Sequence, residues 1–192
     1  MNYLGELSAL LTAILWSGTS IAFSSAAEKI GSLQLNINRM IFASLFLIST
    51  IFIMGYGFDL SRSQFTNLII SGIIGLVIGD SFLFKSYQMI GARISMLLMA
   101  LSPAMSAILA FIFLNETISL LGIIGILVTL SGIALVVLER NVNSKYQITT
   151  LGVVYGILGA MGQAGGLIFA KFAFNEGHIT GFIATFIRVF SS

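Results

Sequence analysis

The sequence predicts an all-α integral membrane protein, a multi-helix transmembrane bundle, and three observations support this fold class. Hydrophobic residues make up 57% of the 192 residues and charged residues only 8%, whereas soluble domains average about 45–50% apolar and about 25% charged residues. The apolar residues form blocks of about 20, the length that an α-helix needs to cross a hydrocarbon core of roughly 30 Å. The nine Lys and Arg residues are dispersed at the ends of these blocks. That dispersal argues against a nucleic-acid-binding protein.

The first apolar block, at residues 5–26, is predicted to be an uncleaved transmembrane helix. The residues before it, Met1 to Tyr3, carry no basic side chain, and Glu6 is acidic. A secretory signal peptide needs a basic start and a shorter apolar core. The small residues at 24–27 would fit a cleavage site, so processing remains the alternative.

Five further apolar blocks are predicted to be helices, because lipid offers no partner for the polar groups of an open backbone. Their connections are short and polar, so neighbouring helices should be antiparallel. A seventh block begins near residue 179, and the chain ends about 14 residues after His178, too few for a comfortable span. We therefore expect either a fragment of a longer protein or a partial, interfacial last segment. The five complete blocks lie at residues 38–55, 67–89, 94–114, 118–138 and 151–174.

An internal repeat is indicated by glycines and an arginine that recur along the chain. Residues 4–21 align with residues 151–168, and a shift of about two residues places Arg39 over Arg188. Five predicted spans separate the two starts, and an odd number makes the second copy enter the membrane from the opposite side. Inverted repeats of this kind are typical of secondary transporters.

Four segments carry a resemblance to a known family: 87–92 (YQMIGA), 101–104 (LSPA), 113–117 (FLNET) and 122–134, in which glycines recur. In order and spacing they resemble the second part of an EamA repeat, from the drug/metabolite transporter superfamily. Trp16, Arg39 and Lys171 are similar to the family pattern as well. The chain departs from the pattern at Gln163, where the second repeat can carry an aromatic residue.

The resemblance implies a ten-helix protein built from two five-helix repeats, of which this chain looks like a truncated member. Residues 4–138 would form the first EamA repeat, residues 139–150 a polar connection, and residues 151–192 a partial second repeat with one full helix and part of another.

Asp80 is the main candidate for a functional residue, because it stands near the middle of the third predicted span. A charge there costs about 2.5–3.5 kcal/mol on insertion scales. Asp80 could be a proton or substrate-cation site, or a carboxyl that is hydrogen-bonded to a neighbouring helix. Lys85 lies on another face of the same helix, so a partner for Asp80 must come from a different helix. Lys85 could instead extend to the headgroups.

Four further residues are candidates for substrate binding, each with a structural alternative. Arg39 could bind an anionic group or anchor a helix end. Trp16 could stack on a substrate or pack between helices. Pro103, predicted to stand mid-span, could free carbonyls that line a site or simply kink the helix. Lys171 is a candidate because of the resemblance to the family. Glu116 is interpreted as a cap of the fifth helix.

Small residues recur at the spacing that lets helix backbones approach closely in membranes. We interpret them as helix-packing positions. They are Ser71, Gly75 and Gly79 in the third span and Gly152, Gly156, Gly162 and Gly166 in the sixth.

The sequence therefore predicts a secondary transporter of the plasma membrane that moves small organic metabolites or drugs by alternating access. Its partners would be the lipid bilayer, the substrate and a proton as candidate coupling ion. With no cysteine and one histidine, no metal, cofactor or catalytic residue is predicted. The alternative is a non-transporting membrane protein, either a partner subunit or an inactive fragment, which would pair with a second chain if the truncation is real. The basic residues favour an external amino terminus and the resemblance a cytoplasmic one.

Overall fold

The computed structural model describes residues 3–138 and 147–192, and these residues form an all-helical bundle without β-strands. The predicted fold class is confirmed. Five helical segments are long and apolar enough to cross a membrane. Most of the predicted polar connection, residues 139–146, lies outside the described residues. In chain order the elements are α1 (Leu4–Ile30), α2 (Ser32–Met54), α3 (Arg62–Gly72), a π-helical segment (Ile73–Gly79), α4 (Asp80–Met99), α5 (Leu101–Leu114), α6 (Leu120–Leu138), α7 (Thr150–Asn175) and α8 (Gly181–Phe190).

The turn between α1 and α2 consists of one glycine, which is shorter than the sequence suggested. Apolar blocks ending at residue 26 and beginning at residue 38 left a polar connection between them, but the helices continue to Ile30 and from Ser32. Gly31 makes the turn with φ 87°, a conformation that glycine adopts without a steric penalty. Apolar windows end before helices do, because polar side chains extend a helix into the headgroup region.

A second glycine reverses the chain inside α4. The hydroxyls of Ser86 and Ser95 lie 2.7 Å apart, although residues nine apart in a straight helix are separated by about 13.5 Å along the axis. Gly91, with φ 76°, interrupts the helical backbone between them. The chain therefore turns back at Gly91, between the third and fourth spans that the sequence predicts.

The fourth predicted span is divided, and Pro103 does not stand in the middle of a continuous helix. α4 ends at Met99, Ala100 joins the two helices, and α5 begins at Leu101. A proline ring collides with the carbonyl four residues before it, here that of Met99, and cannot donate a backbone hydrogen bond. Pro103 consequently lies in the first turn of α5, where no intrahelical donor is needed. The break in the helix that Pro103 was expected to cause is therefore present, and it lies at Ala100, within the fourth predicted span.

α7 is the central helix of the bundle. It packs against α3, the π-helical segment, α4 and α5, while α8 packs against α2 and α3. α1 lies on α4 and α2, and α6 is peripheral, with contacts to α4 and α5. The helices that follow residue 147 are therefore embedded among the earlier ones.

The predicted helix-packing role of the small residues is confirmed. A Cβ atom added to Gly162 would lie 2.6 Å from the Gly79 Cα, and one on Gly166 would lie 2.9 Å from the Gly75 Cα. The Ser71 hydroxyl donates a buried hydrogen bond of 2.6 Å to the Gly166 carbonyl. Backbone meets backbone along this line, so side chains larger than hydrogen do not fit at the two glycines of α7.

Candidate functional site

The π-helical segment determines where Asp80 is presented. Its last turn is closed by the Asp80 amide, which donates to the carbonyls of Gly75 and Val77. A π-helical turn widens the helix and changes the direction of the following side chain, and such turns are frequent at functional sites. Asp80 thereby enters the interior of the bundle, where only 2% of the residue is exposed.

Two side chains from different helices hold the Asp80 carboxylate. Arg39 of α2 forms an ion pair and hydrogen bond with Oδ2. Gln163 of α7 donates from Nε2 to Oδ1 over 2.5 Å. The inference that any partner of Asp80 comes from another helix is confirmed, and both carboxylate oxygens are engaged.

Arg39 is fixed on several sides. Its Nη2 also donates to Asn36 Oδ1 over 3.2 Å, and its guanidinium carbon lies 5.1 Å from the centre of the Phe84 ring, within the range of a cation–π interaction. Asn36 in turn donates to the Leu76 carbonyl over 3.0 Å and to the Ser81 hydroxyl over 3.2 Å. The guanidinium of Arg39 is therefore oriented towards Asp80 by residues of α2 and α4.

A second arginine lies near the same carboxylate, which within the described part of the chain accepts hydrogen bonds from Arg39 and Gln163. Arg188 of α8 interacts electrostatically with Asp80, and its Nη2 would lie 3.5 Å from a Cβ atom added to Gly75. Gln163 also contacts Gly75, donating to its carbonyl over 3.3 Å. Asn36, Arg39, Asp80, Gln163 and Arg188 are called the central polar cluster below. Four helices, α2, α4, α7 and α8, contribute to it.

A cavity of about 630 Å³ borders the central polar cluster between α2, the π-helical segment and α8. Its polar lining includes Asn36 and Ser81. Asn36 accepts a hydrogen bond from Arg39 and donates one to Ser81, so it links the cavity to Arg39. Much of the remaining lining is apolar and includes Met40, Val77, Phe186 and Val189. A volume of roughly 300–1,000 Å³ with few polar groups is typical of a small-molecule site.

A second cavity, of about 720 Å³, lies on the other side of Phe186. It is bounded by α3 and α8, and Phe186 and Phe190 line both cavities. Within the described part of the chain, no group of three or more acidic or histidine side chains is placed to hold a metal ion.

Of the five predicted site residues, the structure brings Arg39 and Asp80 together and leaves the other three apart. Trp16 on α1 is 52% exposed, and Pro103 is exposed at the start of α5. Lys171 forms an ion pair with Glu116, with nitrogen–oxygen distances of 2.6 and 2.7 Å. Lys171 lies about 12 Å along α7 from Gln163, so it belongs to a separate, half-exposed contact.

The interpretation of Glu116 as a helix cap is wrong. The Ser119 hydroxyl accepts from the Gly122 amide over 3.1 Å at the start of α6, whereas Glu116 binds Lys171 of α7. A hydroxyl one residue before a helix reaches the free amides of the first turn, and Glu116 lies too early in the chain to do so.

Three members of the central polar cluster were not among the predicted site residues: Asn36, Gln163 and Arg188. Gln163 carried a signal, since a polar amide within an apolar span is costly unless it has a partner. Arg188 carried one too, because it is the counterpart of Arg39 in the repeat alignment. Asn36 stands in what the sequence suggested was a connection, which concealed its position in the interior of the bundle.

Comparison with known proteins gives one match. The model of the EamA-like transporter family matches residues 3–138, more than half of the chain. No curated protein and no solved structure matches the sequence. The matched residues include Arg39 and Asp80 and end before Gln163 and Arg188.

Proposed function

The chain belongs to the EamA-like transporter family, and from this membership we propose that it is a secondary transporter of small organic metabolites or drugs in the plasma membrane. It is a multi-pass membrane protein. The family is one of transporters, so the proposed role is translocation without chemical conversion of the solute. Alternating access between the two faces of the membrane is the proposed mechanism.

The observation that carries this proposal is the buried ion pair of Arg39 and Asp80 beside a cavity. Removing two charges from water is expensive, and a charged pair within a membrane span is by default a functional feature. The Asn36 and Ser81 side chains connect the pair to the cavity between α2 and α8. A solute in this cavity would contact the cluster through them. Among the predicted site residues, the proposal therefore rests on Arg39 and Asp80.

We also propose that residues 151–192 are the start of a second repeat. Arg39 and Arg188 are counterparts in the alignment, and both interact with Asp80. Alternating access needs the two repeats to move relative to each other around a fixed site. The Asp80 carboxylate lies among α2, α7 and α8. A movement of the second repeat relative to the first would therefore change its contacts.

The test is solute-driven transport by the purified protein in proteoliposomes. A panel of radiolabelled organic anions, zwitterions and cations is screened by uptake into the vesicles, and the best solute is then used with Asp80→Asn. Flux per folded molecule should fall by about tenfold or more, because Arg39 loses the carboxylate that orients it beside the cavity, and about 1.4 kcal/mol lost from solute binding is a factor of ten. Asp59→Asn, in the exposed connection before α3, is the matched control.

Measuring flux of both variants between pH 5 and pH 8 tests the proton as coupling ion. If Asp80 carries the proton, Asp80→Asn should flatten the dependence on pH that the Asp59→Asn control retains. Unchanged flux with an unchanged pH profile would remove Asp80 from the mechanism. The absence of uptake with every solute of the panel would count against transport itself.

A further inference from the structure

We propose that the central polar cluster binds the carboxylate of an organic anion, with Arg188 as its main partner. This inference rests on the proposed function, since it names the class of solute that enters the cavity. Three independent features carry it: the balance of hydrogen-bond donors and acceptors, the balance of charge, and the chemistry of the cavity wall.

Donors exceed acceptors in the cluster. Each Asp80 oxygen accepts one hydrogen bond, from Arg39 or from Gln163. The Nε atoms of Arg39 and Arg188 are buried without a hydrogen-bond partner, and they are two of the three such side-chain atoms in the described part of the chain. Buried donors are rarely left unpaired, and an N–H of a cationic group is among the most costly to leave so. The missing group is therefore an acceptor.

Charge points to the same conclusion. The cluster contains two guanidinium groups and one carboxylate, which gives it one uncompensated positive charge. Both arginines are partly buried, and a charge that is largely withdrawn from water without a counter-ion is unfavourable in a span. A carboxylate supplies both the missing negative charge and acceptors that match the planar fork of an arginine. A cationic solute would have to displace Arg39 from Asp80 and would increase the imbalance.

The cavity wall indicates what the rest of the solute is. Beyond Asn36 and Ser81, the wall near the cluster includes Met40, Val77, Phe186 and Val189, all of them apolar. A small carboxylic acid with an apolar or aromatic body fits this combination. The acid would reach the arginines past Asn36, the member of the cluster that lines the cavity, and the body would meet the apolar wall.

The experiment measures thermal unfolding of the detergent-purified protein with sodium benzoate as the probe and benzamide as its neutral isostere, at equal ionic strength. Benzoate should raise Tm by a few degrees in a concentration-dependent way, because a ligand that binds only the folded state stabilises it. Benzamide should not. Arg188→Gln should lose the benzoate response, and Arg62→Gln, an exposed arginine of α3, should keep it.

Two further variants keep the test decisive if Arg188→Gln unfolds. Arg188→Lys retains the charge without the fork, so its response should be weaker but present. Asp80→Asn removes the internal carboxylate and frees Arg39, so its response should equal or exceed that of the unmodified chain. An equal shift with benzamide, an equal shift with added sodium chloride, or an undiminished shift in Arg188→Gln would overturn the inference.

The experiments distinguish failure of the proposed anion site from failure of the proposed transport function. A benzoate shift that needs Arg188, in a protein without solute flux, would contradict the proposed function and leave the anion site standing. Flux of a neutral or cationic solute in a protein without a benzoate shift would contradict the anion site alone.

Discussion

At the scale of single residues, the two sides of the buried ion pair are not equivalent. Asp80 is the only acidic member of the central polar cluster as the structure describes it, whereas Arg39 shares its role with Arg188. Removing one partner of a buried pair leaves the other uncompensated and costs about 3–5 kcal/mol. Loss of Asp80 strands two arginines, while loss of Arg39 leaves Asp80 near Arg188.

We therefore predict that Asp80→Asn destabilises the protein by about 3–5 kcal/mol and Arg39→Gln by less. Unfolding in detergent, followed by heat or by a denaturing surfactant, measures both variants against Asp59→Asn, which should behave like the unmodified chain. Equal costs for the two variants would mean that Arg188 does not support Asp80 when Arg39 is absent.

A separate prediction concerns Gln163, which is an uncharged member of the cluster. Its amide donates to Asp80 over 2.5 Å and to the Gly75 carbonyl over 3.3 Å. Gln163→Leu has a similar size and leaves both acceptors without this donor, so it should cost about 1–3 kcal/mol. Gln34→Leu, at an exposed position of α2, is the control in the same unfolding assay. A harmless Gln163→Leu would show that Arg39 alone holds the carboxylate.

The sequence allows the charged half of the site to be predicted but not its assembly. Asp80 and Arg39 stand out because charge is rare and costly inside apolar segments. Their contact depends on how α2 and α4 are rotated, which follows from packing of the whole bundle. Gln163 and Arg188 join them only because α7 is central, and no local pattern encodes that position.

At the scale of helices, the close approach of α7 to α3 and the π-helical segment depends on missing side chains. Gly162→Ala would place a Cβ 2.6 Å from the Gly79 Cα, and backbone cannot move aside as a flexible side chain can. Gly125→Ala in α6 has open space, with nothing within 4 Å of the added atom. Alanine also has the higher helix propensity, by about 1 kcal/mol.

We predict opposite signs for these two substitutions. Gly162→Ala should destabilise by about 1–3 kcal/mol, as overpacking does, and Gly125→Ala should be neutral or stabilising. Thermal unfolding in the same detergent compares them directly. A neutral Gly162→Ala would show that α7 can separate from the π-helical segment without loss.

Helices themselves were predictable to different degrees, for physical reasons. Apolar blocks identify spans because the thickness of the bilayer requires them. The ends of α1 and α2 were underestimated, because Gly31 can reverse the chain alone. The π-helical segment has no signature in apolar periodicity, since every residue from Ile73 to Gly79 is apolar or glycine. The break at Ala100 follows from Pro103, yet it lies several residues before the proline itself.

At the scale of the whole molecule, the glycine turns decide on which side of the membrane each connection lies. Residues 62–99 form 38 helical residues, about 57 Å if straight, almost twice the thickness of a hydrocarbon core of roughly 30 Å. Reversal at Gly91 converts this segment into one complete span and the beginning of the next. The connections 55–61, 115–119 and 176–180 then share one face, and Gly31, Gly91 and the start of α7 share the other.

Cysteine labelling tests this arrangement without background, because the chain contains no cysteine. Asp59→Cys, Thr117→Cys and His178→Cys change exposed residues in the three connections of one face, and Gln147→Cys lies before α7 on the other. A membrane-impermeant maleimide is added to sealed right-side-out and inside-out vesicles. It should label the first three variants in the same type of vesicle and the fourth variant in the other type. The same labelling determines the orientation of the amino terminus. Labelling of Asp59→Cys and Thr117→Cys from opposite faces would contradict the reversal at Gly91. A straight helix would cross the membrane once between these residues, whereas a chain that turns at Gly91 crosses it twice and returns to the same face.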